Sequence, residues 1–207
     1  MLRYNFSTMN IFYVDSDPVI AAKSLHNKHI HKMALESCQL LITCFTEERL
    51  KSAPLTSKGT SWKHTHYNHP CAKWVRESRN NFEWLFHHAY ELISQYKLRY
   101  NKNSSLRSIL MWIHHEFYLN GKPENLHWKQ VISTPPQCMP DKYKVINDPV
   151  QAYRNYYIGE KYHYFITNKE RGRTKEYYNK WMDEKDIPQW FLSNFPLDLY
   201  NNFVHNK

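Results

Sequence analysis

Apolar positions recur every three to four residues along three stretches of this chain, and proline or serine marks where each stretch begins. The segment "DSDPVIAAKSLHNKHIHKMALESCQLLITCF" (15–45) predicts one long helix, with Asp17 as N-cap and Pro18 at the first helical position. Residues 70–100 predict a second helix, again opened by a proline, Pro70. "SSLRSILMWIHHEFYL" (104–119) predicts a third, capped by Ser104 or Ser105. Ahead of them the short apolar run "NIFYV" (10–14) reads as a strand. Residues 120–147 hold four prolines and little periodicity, which predicts a loop. A second Asp-Pro pair, Asp148-Pro149, opens a further helix, and "IPQWFLSNFPLDLYNNF" is aromatic enough to pack back onto the body. These elements give a mainly α fold: a compact helical domain with at most a few short strands and a long aromatic-rich C-terminal segment. The 207 residues read as a single domain (1–207), comprising an N-terminal extension (1–9), a helical core (10–119), the Pro-containing loop (120–147) and an aromatic, basic C-terminal region (148–207).

Two polar stripes interrupt the apolar pattern. At about 100° per residue, His29, Lys32, Glu36, Gln39 and Thr43 fall within roughly 80° on the first helix. Met33, Leu40 and Cys44 flank them on one side, Leu35 and Ile42 on the other. So narrow a polar stripe on an apolar helix lines a cleft, meets polar partners or forms an exposed seam, because burying it unpaired costs several kcal/mol, roughly 2–7 per group. It carries three ionisable types and is a candidate acid/base set. On the second helix Val75, Phe82, Leu85, Phe86, Ala89, Leu92 and Ile93 make the apolar face. His69, Lys73, Arg76, Asn80, Glu83 and His87 make the polar one. The first turn of that helix, with His66, Asn68 and His69 before Pro70, offers free N–H groups and basic side chains to a phosphate.

Composition adds two features. The formal charge is +9, and aromatic residues make up 16% of the chain. A basic, Tyr- and Trp-rich surface suits a polyanion whose bases can be stacked. The segment "DPVQAYRNYYIGEK" interleaves Tyr153, Arg154, Tyr156, Tyr157 and Lys161 in that manner, although tyrosines at this spacing also pack as core. With four glycines and neither GxGxxG nor GxxxxGK[ST], no nucleotide loop and no cofactor is implied. The four cysteines, Cys38, Cys44, Cys71 and Cys138, have no CxxC pairing and read as reduced thiols of a cytoplasmic protein. His64, His66, His69 and Cys71 lack the paired spacing of a structural zinc site, so no metal is expected. No apolar run reaches the roughly 18 residues a membrane span needs, nor does the N-terminus read as an export signal, and no obligate protein partner is implied.

The order "NIFYVDSDP…AA…H…KM.LE..QLL…NHPC.KW..ES..N..WL…DP..AYR.YY…K" resembles a group of phage-type proteins of undetermined function, over most of residues 10–165. More distantly it resembles the pyrimidine-dimer DNA glycosylases of the endonuclease V type. That family has a His seven residues before a catalytic Glu on its first helix, the spacing of His29 and Glu36. It has a Gly-His before a helix that ends in a basic residue, where this chain has Asn68-His69 and Arg99. A later aromatic-basic segment of the type Trp-Tyr-Lys-Tyr-Tyr-Gly-Lys is similar to "AYRNYYIGEK" (152–161).

The resemblance implies a DNA-repair or DNA-modification enzyme, acting in the host cytoplasm if of viral origin, that everts a base of duplex DNA and breaks its N-glycosidic bond. Its nucleophile would be a terminal α-amine assisted by the Glu. Here Leu2 follows Met1, a pair from which the methionine is kept. The alternatives are Lys32 as the amine, or hydrolysis by water activated by Glu36 or Asp15. Catalytic candidates are thus Glu36, His29, Lys32 and Asp15. Candidate nucleic-acid contacts are His66, Asn68, His69, Lys73, Arg76, Asn80, Tyr153, Arg154, Tyr156, Tyr157 and Lys161. The competing expectations are an enzyme that modifies a pyrimidine base or nucleotide, and a nucleic-acid-binding protein without catalysis.

Overall fold

A computed structural model describes residues 9–161 and 188–194. Among them are eight α-helices: α1 (Pro18–Lys23), α2 (Asn27–Leu41), α3 (Glu47–Leu50), α4 (Pro70–Glu77), α5 (Arg79–Tyr100), α6 (Arg107–Tyr118), α7 (Pro149–Tyr156) and α8 (Gln189–Leu192). The long α5 is the central post, with α2 and α1 packed most extensively against it and α4 and α6 beside them. Phe82 of α5 is buried between Phe45 and Phe117, stacking on Phe117 at 4.2 Å, and such burial is worth about 1.5–3 kcal/mol. No helix among the described residues is long and apolar enough to cross a membrane.

The two longest predicted helices are each broken in two. The segment 15–45 turns at Ser24–His26, where the Ser24 hydroxyl returns to the Ile20 carbonyl and His26 adopts extended geometry as N-cap of α2. Arg99 of α5 reaches over and donates to the carbonyls of Lys23 (2.9 Å) and Leu25 (2.7 Å), acceptors that the end of α1 would otherwise leave open. The segment 70–100 breaks at Ser78 (φ −151°, ψ 157°), whose hydroxyl accepts from the Asn81 N–H and restarts the helix. Asn81 is wholly buried and fully used: its amide nitrogen serves the Trp74 carbonyl and Ser133 Oγ, and its amide oxygen accepts from the Ser133 N–H.

The run 10–14 is not a strand, and no strand occurs among the described residues. It is a buried irregular segment. The Asn10 side chain accepts from the Ile11 and Phe12 N–H groups, the Val14 N–H turns back to the Phe12 carbonyl at 2.7 Å, and Phe12 stands at φ +44°. With its N–H groups bonded locally in this way, the segment does not build a ladder.

Residues 120–147 are irregular apart from a 3₁₀ turn at Asp141–Tyr143, and α7 opens at Asp148-Pro149 as the sequence predicts. From α7 the chain passes into a π turn, Tyr157–Lys161. Gly159 on that turn lies against the Tyr143 ring so closely that a Cβ would collide with it. Of the C-terminal segment expected to pack back onto the body, α8 is described: its Phe191 is buried and its Trp190 lies under the Arg154 guanidinium at 5.3 Å, while residues 195–203 lie outside the described residues. The segment "ERGRTKEYYNKWM" and the N-terminal extension before Met9 lie outside the described residues.

Candidate active site

The stripe on α2 runs from solvent into the core. Lys32 is half-exposed, Glu36 is 14% exposed, and His29 and Thr43 are buried. Both Glu36 oxygens are held. Oε1 lies 2.6 Å from Lys32 Nζ one turn away, and Oε2 accepts the Asn10 backbone N–H at 3.0 Å. A carboxylate fixed by one N–H and one ammonium, at the edge of solvent, is a preorganised negative charge.

Three further groups stand in its electrostatic field: His69, Cys71 and Lys161. Lys161, brought inward by the π turn, is buried with its ammonium 4.6 Å from the Tyr156 ring centroid and 5.9 Å from that of Phe12. Burial lowers its pKa, nearby Lys32 adds to the shift, and Glu160 and Glu36 oppose it. His69 is the N-cap of α4 and accepts the Cys71 N–H at its Nδ1 (3.2 Å). Partial burial and His66 lower its pKa, against the pull of Glu36. The Cys71 thiol lies 3.5 Å from Cys138 Sγ; that contact, together with burial, raises the Cys71 pKa, while the same contact lowers that of Cys138 against the effect of burial. Of the histidines at the head of the second predicted helix, His69 thus does cap it, and it also stands in the field of the carboxylate on the first.

His29 takes a different place from Glu36. Its ring stacks on His26 at 3.9 Å and on Phe12 at 4.6 Å, and its Nδ1 lies 3.1 Å from the Tyr157 hydroxyl. Burial, His26 and the neighbouring lysines hold its pKa well below 6.5, so it is neutral. Asp15 pairs with Arg154 at 3.1 Å and accepts the Asp17 N–H.

Of the residues expected to touch nucleic acid, His66, Asn68 and Lys73 are exposed, and His69 and Asn80 half-buried. Arg76 is buried, stacked on the Tyr67 ring at 3.7 Å and donating to the Tyr67 carbonyl at 2.7 Å. A cleft of about 480 Å³ opens beside Lys73, Arg76 and His127. Tyr153, Tyr156 and Tyr157 are buried; Tyr153 donates to the Pro136 carbonyl at 2.7 Å and the Tyr157 hydroxyl accepts the His26 N–H at 2.8 Å. Arg154, besides Asp15, donates to the Val14 carbonyl at 2.8 Å.

Asn10, Phe12 and Cys138 join the site without having been singled out in the sequence. Asn10 ties the site together, its N–H on Glu36 and its Nδ2 on the Cys138 carbonyl at 2.9 Å. An Asn ahead of an apolar run is a signal for such a turn, whereas Cys138 sits in a Pro-rich loop with no periodicity to mark it.

Residues 9–108 match the family model for pyrimidine dimer DNA glycosylases. The matched stretch is just under half of the chain. It starts at the buried segment that donates to Glu36 and takes in α1 to α5 and the first residues of α6. The resemblance to pyrimidine-dimer glycosylases therefore holds over the helices that carry Glu36, Lys32 and His69. Cys138 and the aromatic-basic segment 152–161 lie beyond it. Comparison with curated proteins and with solved structures returned no match.

Proposed function

We propose that this protein is a DNA glycosylase that cleaves the N-glycosidic bond of a damaged or modified pyrimidine in duplex DNA, with Glu36 as its central catalytic group. The observation that carries the reading is the doubly held Glu36 carboxylate inside the stretch that matches a glycosylase family. In the reaction, the bond from C1′ to the base nitrogen breaks and the base leaves with its electron pair. Glu36 stabilises the positive charge on the sugar. The incoming nucleophile is either Lys32, whose ammonium proton passes to the paired Glu36 as its nitrogen bonds to C1′ and then to the ring oxygen as the sugar opens to an imine, or a water whose proton passes to Glu36, giving an abasic site. In both routes the departing base takes a proton from solvent. His66, Asn68, His69 and Lys73, gathered at the N-terminus of α4, contact the phosphates flanking the everted nucleotide.

The test is incubation of the protein with duplexes carrying normal, dimerised and base-modified pyrimidines, with and without borohydride. Base loss from one class of modified duplex is expected. A borohydride-trapped adduct mapping to Lys32 selects the imine route, and abasic sites without an adduct select hydrolysis. DNA binding without base loss on any duplex overturns the proposal.

A further inference from the structure

The Pro-containing loop carries Cys138 onto the first turn of α4, far from Cys71 in sequence. The two thiols are unlinked, and their sulfurs are 3.5 Å apart. A ring nitrogen of His69 completes a set of three donor atoms, all within 4.8 Å of one another. Among the described residues no other cluster of three His, Cys, Asp or Glu groups comes together in this way. In a tetrahedral zinc site, with Zn–S near 2.3 Å and Zn–N near 2.0 Å, sulfurs lie about 3.8 Å apart and sulfur lies about 3.5 Å from nitrogen. The thiol pair is already near that spacing, and the imidazole reaches it by a shift of about 1 Å.

We infer that His69, Cys71 and Cys138 form a binding site for one thiophilic divalent cation, zinc foremost, beside the Glu36 carboxylate. Two soft sulfurs with an imidazole select such a cation over magnesium or calcium. His69 supplies the Nδ1 lone pair that otherwise accepts the Cys71 N–H, and Nε2 keeps its proton. The Cys71 N–H released in the first turn of α4 then joins the helix N-terminus in favouring the Cys71 thiolate. Asn10 supports the site from behind, holding the Cys138 carbonyl with one group and Glu36 with another. Three protein ligands leave a fourth position for water, as in catalytic zinc centres. A disulfide could use the same two sulfurs, and the third donor is what favours a cation.

The inference does not rest on the glycosylase reading, and its readout is metal content. The full-length protein, kept reduced, is titrated with zinc against a chromophoric chelator. One equivalent is expected to bind, with affinity falling on the order of 100-fold in Cys138→Ser and unchanged in Cys44→Ser. Cobalt in place of zinc is expected to give a thiolate-to-metal charge-transfer band that Cys138→Ser removes. If Cys138→Ser does not fold, protection of Cys138 from alkylation by one equivalent of zinc in the unmodified protein serves instead. The inference is overturned if the reduced protein retains no zinc, if Cys138→Ser binds it equally well, or if a Cys71–Cys138 disulfide forms with stoichiometric zinc present.

Discussion

Asn10 places its N–H on Glu36, its amide nitrogen on the Cys138 carbonyl and its amide oxygen on the N–H groups of Ile11 and Phe12. The result is visible one residue on. Phe12 is held at φ +44°, a conformation that costs a bulky residue roughly 1–2 kcal/mol, and its ring is set against His29 and Tyr156. The buried histidines carry a different consequence. His88 of α5 is fully buried, and neither ring nitrogen has a hydrogen-bond partner. Burial lowers its pKa from 6.5 to about 3. Between those values the unfolded chain binds the proton and the folded one does not. Stability contributed by the neutral ring is therefore complete above about pH 6.5 and falls as the pH drops toward 3. At about pH 5 the loss for this one residue is about 2 kcal/mol. His88→Leu is expected to raise Tm more at about pH 5 than at about pH 7.5. An equal shift at both values would show that His88 does not titrate on unfolding.

At the scale of elements, periodicity located the helices, and what it missed was their interruption. Apolar spacing continues through Ser24–His26 and through Ser78, so each pair of helices reads as one. At Ser24–His26 the break is held by a distant side chain, Arg99 on the carbonyls of Lys23 and Leu25; at Ser78 the local cap on the Asn81 N–H is backed by Ser133, which reaches Asn81 from the loop after α6. No local pattern announces such partners. Arg49 plays a similar part for α3. Its guanidinium donates to Glu116 Oε2 at 2.7 Å, to Glu124 Oε1 at 2.9 Å and to the Glu116 carbonyl at 3.0 Å, joining α3 to the end of α6 and the loop beyond. The Glu116 side chain is only 10% exposed, so Arg49→Ala leaves a buried carboxylate without its guanidinium, with Asn120 Nδ2 still donating to it at 2.9 Å and His115 at 3.6 Å. A loss of about 3–5 kcal/mol is expected in chemical denaturation. A loss below about 1 kcal/mol would mean that the ion pair behaves as a surface one.

For the whole molecule, the first turn of α4 and the middle of α2 were legible as candidate chemistry because polar residues interrupt an otherwise apolar rhythm. Their meeting was not legible, since it depends on a buried N-terminal segment that reads as a strand and on a Pro-rich loop that carries no pattern. The +9 charge and the exposed His66, Asn68 and Lys73 fit a polyanion, while the tyrosines of α7 are packed as core. Among these features Glu36 is the one on which the proposed chemistry turns. The most direct test is single-turnover base excision from a pyrimidine-dimer or modified-pyrimidine duplex, with DNA affinity measured on the same preparations, for the unmodified protein and for Glu36→Gln. Excision is expected to fall by about 100-fold or more, with affinity changed by no more than about threefold. Excision that survives Glu36→Gln would contradict the account.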